Sequence, residues 1–213
     1  VETILKKVPA TKQSLYEAVN SHDNKIVKLI LENNSKPNFI NYKSRSGTVL
    51  ITATQNNDLE IVKTLLSTPG IDPNLYDNNK NPPLIIAANN LNLDIFNAIL
   101  DFYGDDIEQQ RWQLNFLVKK VLNQLSNSDW KSNKNISNFV NRILDIKYLD
   151  PNSFENNLSL LMYACEYNEI NIVKKLLKLD KTDVNLYNIT NGSNPLMIAI
   201  SSKNVEIAEL LIN

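Results

Sequence analysis

The apolar residues of this chain recur with a fixed period, and a period of this length admits few architectures. The stretches "SLYEAVNSHDNKIVKLIL" (14–31), "VLITATQNNDLEIVKTLL" (49–66), "PLIIAANNLNLDIFNAIL" (83–100), "LLMYACEYNEINIVKKLL" (160–177) and "PLMIAISSKNVEIAELLI" (195–212) share one template. Each has a leucine, a small residue three positions on and an isoleucine eleven positions on. The leucines are Leu15, Leu50, Leu84, Leu161 and Leu196, so neighbours stand 35 or 34 residues apart. The interval from Leu84 to Leu161 is 77 residues, too long for one period, and predicts a sixth, distorted unit. Its second half, "FVNRILDIKYLDPN" (139–152), aligns without gaps to "IVKTLLSTPGIDPN" (61–74). The words between the stretches repeat as well: "DPNLYDNN" (72–79), "LDPNSFENN" (149–157) and "DVNLYNIT" (183–190).

Within a unit, Leu50 and Ala53 are three apart, and Ile61, Val62, Leu65 and Leu66 then fall at helical spacing, which predicts two short amphipathic helices. The break between them comes at Asn57, and at Asn168 in a later unit, because asparagine tolerates the left-handed backbone that ends a helix. The Pro-, Asn- and Asp-rich phrases that follow read as turns leading to the next pair. Such a pair cannot bury its apolar face alone. Stacked on its neighbours it contributes to a continuous core, with Ala18, Ala53, Ala87, Ala88, Ala164 and Ala199 allowing close approach.

"PPLIIAANN" and "NPLMIAISS", followed by "LEIVKTLL" or "INIVKKLL" and then "DPN" or "DVN", resemble the ankyrin repeat, whose motif is Thr-Pro-Leu-His-x-Ala-Ala. The resemblance covers about 13–100 and 139–213. It implies an all-α ankyrin-repeat solenoid of stacked helix-turn-helix units with turn-rich, β-hairpin-like connectors. The units are expected at 13–43, 44–76, 77–105, 106–153 (extended and degenerate), 154–188 and 189–213, as one continuous array. The motif's Thr and His positions hold Gln13 and Tyr16, Thr48 and Ile51, or Pro82 and Ile85, and its mid-unit Gly becomes His22, Leu91 or Lys203. Those departures put the usual hydrogen bonds at the helix starts in question. The asparagine closing "DPN" or "DVN" (Asn74, Asn185) is expected to satisfy backbone groups within its turn.

With 22 basic and 23 acidic residues and a net charge of −1, no global field favours nucleic acid or an anionic membrane. No apolar run approaches the roughly 18 to 20 residues that span a bilayer. One cysteine, Cys165, allows no intrachain disulfide and fits a reducing compartment, so a cytoplasmic, or nuclear, location is expected. The 34 asparagines, against 3 arginines, read as the drift of an AT-rich coding sequence.

The residues for chemistry are poorly placed. Cys165 and His22 are the sole members of their types and fall four units apart in the register, which argues against a nucleophile and base pair and for a small core cysteine. The four glycines form no phosphate loop. Asp105, Asp106 and Glu108 suit a helix start better than a metal site. Lys119, Lys120, Lys131 and Lys134 are dispersed among Asn and Ser and read as solvated. No cofactor and no catalysis are expected.

What remains is surface. In the resembled family, partners lie on a concave face made by connector tips and exposed first-helix positions. Carried over, that face holds Ser44, Arg45, Gln55 and Asn56; Asn78, Asn79, Asn89 and Asn90; Glu155, Asn156, Glu166 and Tyr167; and Thr190, Asn191, Ser201 and Ser202. Arg45 and Tyr167 are of the types enriched at interface hot spots. "IEQQRWQLNFLVKKVLNQL" (107–125) predicts a longer amphipathic helix and "SNSDWKSNKN" (126–135) a loop, so the region with both tryptophans, Trp112 and Trp130, is either a second surface or an insertion packed on itself. The expected function is a non-catalytic scaffold for a protein partner, with a targeting arm of a larger enzyme as the alternative. The chain is expected to be monomeric. Because "NVEIAELLI" is followed by no polar closing unit, it is also expected to be a piece of a longer repeat protein.

Overall fold

Helices of 7 to 11 residues are marginal on their own in water, so a chain built from them depends on how they cover one another. The computed structural model describes residues 9–34, 36–104, 117, 134–146, 149–155 and 157–213. The chain divides into two compact units, Val1–Asp106 and Ile107–Asn213. The expected helix over 107–125, both tryptophans and Asp105, Asp106, Glu108, Lys119, Lys120 and Lys131 lie outside the described residues, apart from Leu117, which is buried; of the loop expected over 126–135, residues 134 and 135 are described and already belong to a helix. The side chain of Lys134 is outside them too.

In the N-terminal unit, α1 (Lys12–Asn20) pairs with α2 (Asn24–Asn33), α4 (Val49–Gln55) with α5 (Leu59–Leu66), and α6 (Pro83–Asn89) with α7 (Leu93–Tyr103). A short α3 (Pro37–Ile40) lies in the first connector. First helices pack side by side, α1 on α4 and α4 on α6, and second helices do the same, α2 on α5 and α5 on α7. In the C-terminal unit, α8 (Lys134–Ile143) packs against α10 (Ile170–Leu176), which pairs with α9 (Leu160–Glu166), and α11 (Pro195–Ser201) pairs with α12 (Val205–Ile212). A hairpin of β1 (Phe154–Glu155) and β2 (Leu158–Ser159) precedes α9, pairing Phe154 with Ser159 and Glu155 with Leu158. The corresponding connector of the N-terminal unit closes as a single bridge between Ser44 and Gly47.

Inner first helices are apolar all round because they are covered all round. In α4, Val49 through Thr54 are all buried, in α6 Pro83 through Ala88, and in α9 Leu160 through Cys165. The two threonine hydroxyls sunk in α4 donate one turn back, Thr52 to the Thr48 carbonyl at 3.2 Å and Thr54 to that of Leu50 at 2.8 Å. Of the isoleucines in the second-helix register, Ile61, Ile95, Ile172 and Ile207 are buried, whereas Ile26 in the first pair is half-buried.

The helix starts are mostly capped, by the motif's own threonine at Thr48 and by serine or asparagine in its place elsewhere. Thr48 accepts from the Ile51 N–H, Ser159 from that of Met162 and Asn194 from that of Met197, all in one register. The first helix starts earlier, at a box formed by Thr11 and Ser14. Only Pro82 gives no side-chain cap among these.

The break between paired helices is left-handed in all five described turns. His22, Asn57, Leu91, Asn168 and Lys203 have φ of 57°, 57°, 52°, 61° and 60°. The two asparagines suit that backbone, and the others carry its cost. Left-handed geometry penalises an ordinary L-residue by about 1–2 kcal/mol, while glycine loses about 0.5–1 kcal/mol through its freer unfolded chain. The exposed Lys203 has no packing to lose there. Lys203→Gly is therefore expected to raise the stability to urea by about 0.5 kcal/mol or more, and Asn57→Ala to lower it; a destabilised Lys203→Gly protein would show that the turn does not carry this strain.

Candidate interaction surface

Three of the connectors begin from an aspartate that folds its own turn. The carboxylates of Asp72, Asp150 and Asp183 each accept, at 2.9 Å, the N–H of the asparagine two residues on, Asn74, Asn152 and Asn185. The Asn185 side chain makes no bond in its turn among the described residues, contrary to the reading from its sequence position, whereas the Asn152 amide reaches the next repeat. Asn152 donates to the Lys181 carbonyl at 2.7 Å and accepts from the Asp183 N–H at 2.9 Å. Asn41, outside any "DPN" phrase, makes the same pair of bonds to Gly70 at 2.8 Å and Asp72 at 2.9 Å. Asn74 accepts from the Tyr103 hydroxyl at 3.0 Å. These amides fix the spacing of successive connectors.

Tyr16 stands at the position of the motif's histidine and bonds to the following connector. Its hydroxyl donates to the Tyr42 carbonyl at 3.2 Å and to that of Gly47, and accepts from the Ser44 N–H at 3.3 Å. Burial pushes its pKa above the usual tyrosine value, with the bonds to Ser44 acting the other way.

The connector tips of the N-terminal unit lie together. Asn78 donates to the Arg45 carbonyl at 2.7 Å, which brings Ser44 and Arg45 beside Asn78 and Asn79. Arg45, Asn78 and Asn79 are exposed, while Ser44 is half-buried and holds its own turn by accepting from Ser46 and donating to Gly47. Beneath the tip, the buried Asp77 accepts from the N–H groups of Asn79 and Asn81, each at 2.8 Å. Gln55 and Asn56 are exposed at the end of α4. Asn89 is half-buried at the end of α6, and the exposed Asn90 donates to Asn57 Oδ1 at 3.2 Å.

In the C-terminal unit, Asn157 donates to the Thr190 hydroxyl at 2.9 Å, again joining two tips. Thr190 and Asn191 are exposed there, and Asn191 Oδ1 accepts from Ser193 at 3.0 Å. Asn156 lies outside the described residues, as does the side chain of Glu155. Glu166 and Ser201 are exposed and Ser202 half-buried at the ends of α9 and α11. Tyr167 departs from its expected exposure: it is half-buried, its ring stacked on Tyr163 with centroids 6.3 Å apart and planes 9° from parallel. Burial first, then the neighbouring Glu166 and Tyr163, raise its pKa.

Position alone did not single out a second set of residues. Tyr42, Tyr76 and Tyr187 stand one or two residues after the connector asparagines Asn41, Asn74 and Asn185 and are 41%, 50% and 61% exposed. The ammonium of Lys12 sits 4.6 Å from the centre of the Tyr42 ring and that of Lys43 4.6 Å from the Tyr76 ring. The signal was in the repeated phrase itself, where "LY" is the one apolar pair in "NLYDNN" and "NLYNIT".

Cys165 is fully buried in α9, and desolvation pushes its thiol up to about 12. It is a neutral packing group at neutral pH. His22 is exposed, with Nδ1 3.2 Å from Asp58 Oδ2. Among the described residues, no group of three or more His, Cys, Asp or Glu could hold a metal ion, and no helix is long and apolar enough to cross a membrane.

A sequence model described as ankyrin repeats (3 copies) matches residues 15–111 and 130–213. An ankyrin repeat domain from Acinetobacter baumannii AYE is similar in structure, with a TM-score of 0.67 and 22% identity over 93% of this chain and 95% of that one. That likeness bears on fold. No curated protein matches the chain.

If the asparagine amides clamp adjacent repeats, removing one leaves a carbonyl and an N–H in a connector without their partner. Asn41→Ala is expected to cost about 1–2 kcal/mol in urea denaturation. Asn185→Ala, whose side chain has no partner among the described residues, is expected to stay within about 0.5 kcal/mol of the parent. Equal losses from both would remove the clamp as the explanation.

Proposed function

The chain belongs to the ankyrin repeat family, whose repeats are in general protein–protein interaction modules, and we propose that it is a non-catalytic scaffold that binds a protein partner through its connectors. The observation that carries the reading is the set of tyrosines left exposed in the connectors while apolar side chains of the inner helices are buried. Tyrosine supplies a large, two-torsion contact surface and is enriched where interfaces concentrate their energy. The lysines over Tyr42 and Tyr76 hold those rings before a partner arrives.

The same connectors indicate the partner's chemistry. Residues 42–47 and 76–81 carry Lys43, Arg45 and Lys80, all exposed, and their single acid, Asp77, is buried and hydrogen-bonded to its own turn. A partner segment with carboxylates beside apolar or aromatic side chains matches this surface. Binding through it weakens as salt rises.

Arg45→Glu and Tyr76→Ala together are expected to keep the fold, since both side chains are exposed, and to weaken partner binding by about 1–2 kcal/mol or more. The measurement is affinity capture with the parent and the double variant as bait, with thermal unfolding run in parallel. A variant that unfolds like the parent and captures the same proteins equally well, at every salt concentration, would exclude these connectors as the binding surface.

A further inference from the structure

The last helix pair exposes apolar residues at positions that the other described pairs bury or half-bury. Met197 is 57% exposed, whereas Tyr16, Ile51, Ile85 and Met162, in the same register, are buried. Ile200 is 60% exposed where Val19, Thr54, Ala88 and Cys165 are buried. Ile212 is 68% exposed where Leu31, Leu66 and Leu100 are buried and Leu177 is half-buried. In α11 only Pro195 and Ala199 are buried, against six residues of α9. In the first pair, the Tyr16 hydroxyl reaches forward to Gly47 of the following connector, so this register position faces the next repeat.

Beside this apolar face stands an idle clamp. Asn185 is the counterpart of Asn41 and Asn152, and its carboxamide makes no bond among the described residues. Both working clamps take the same pair of backbone groups, a carbonyl and the N–H two residues later in the next repeat's connector. Among the described residues, a second copy of this chain does not offer that pair at its first or its last connector. Its Lys181 carbonyl and Asp183 N–H are held by Asn152, and at its first repeat the Phe39 N–H and the Pro37 carbonyl are spent inside α3, on Lys36 and Asn41. The outer side of that first repeat is also polar: Glu17, exposed and bonded to Gln13, stands where Thr52, Ile86 and Tyr163 are buried.

We propose that the face of Met197, Ile200 and Ile212 docks a further ankyrin-type helix pair from outside residues 1–213, stacked in register on the last pair, with Asn185 clamping its connector. The occupant's connector presents a carbonyl and an N–H two residues apart, and its first helix presents an apolar side in place of Gln13 and Glu17.

The test supplies such a pair. Asn213 falls in the register of Ser67, so a copy of residues 68–103 placed directly after it continues the repeat, and a copy of 179–213 provides a second, independent graft. Each extended protein is expected to melt about 5 °C or more above the parent, and to bind less of a dye that reports exposed apolar surface. Asn185→Ala and Ile200→Asp are then expected to lower the melting temperature of the extended proteins and to leave that of the parent chain unchanged. The proposal fails if neither graft raises the melting temperature, or if Asn185→Ala acts equally with and without the graft. It also fails if the parent chain self-associates at micromolar concentration in sedimentation equilibrium and Ile200→Asp abolishes that association, which would make a second copy the occupant.

Discussion

Burial between neighbouring repeats governs the rest of this structure. A seven-residue helix such as α4 has two turns and would not persist alone in water. It persists because α1 covers one side, α6 another and α5 a third, leaving Gln55 at its end as the one exposed side chain. Apolar surface is therefore supplied to each helix by sequence neighbours about one period away, and loss of one pair removes a wall from the next. The small residues of the first helices follow from this, since Ala53, Ala87 and Ala164 lie wholly buried where a larger side chain would hold the pairs apart.

Apolar contact alone does not set the register between repeats, because methyl groups slide at little cost. Directional bonds do. In this chain asparagine takes three structural jobs: clamping the next connector (Asn41, Asn152), turning the left-handed corner (Asn57, Asn168) and capping helices (Asn92, Asn194). Its carboxamide both donates and accepts, so one side chain can satisfy a carbonyl and an N–H together. A coding bias toward asparagine would have been tolerated here, and the fold has put many of the resulting side chains to use. Reading the excess as drift alone understated it.

The fold was legible because the apolar register is a local pattern: leucine, alanine and isoleucine at fixed offsets state which faces are covered. The left-handed corner at Asn57 and Asn168 followed from the tolerance of asparagine for that backbone, and the hairpin-like connectors from the family resemblance. The clamps were not legible. The partners of Asn41 and Asn152 lie 29 and 31 residues away, beyond any local window, and are backbone groups that leave no trace in side-chain identity. The same holds for Tyr16, whose hydroxyl reaches a connector 26 to 31 residues on. For the candidate surface, position in the register correctly placed Arg45, Asn79 and Asn191 in solvent, but it could not see that the Tyr167 ring stacks on Tyr163 one turn before it.

Side chains of the described repeats divide the work of packing, turning and clamping among them. Stacking consumes the interior, where the inner first helices are buried on every side. Cys165 illustrates this: it fills the slot that Ala88 fills elsewhere, and the desolvation that makes it a good packing group keeps its thiol protonated. Polar groups near the core are likewise committed, Asp77 to its turn and Thr54 to its own helix. Chemistry that recognises another molecule is left to positions that neither pack nor clamp. In the connectors those positions hold lysine, arginine and tyrosine, whose attraction to a partner is partly electrostatic and falls with salt. On the last helix pair they hold methionine and isoleucine, whose burial is driven by water and is strengthened by excluded salts such as sulfate. Two surfaces with opposite responses to ionic conditions can engage different partners without competing for the same kind of contact.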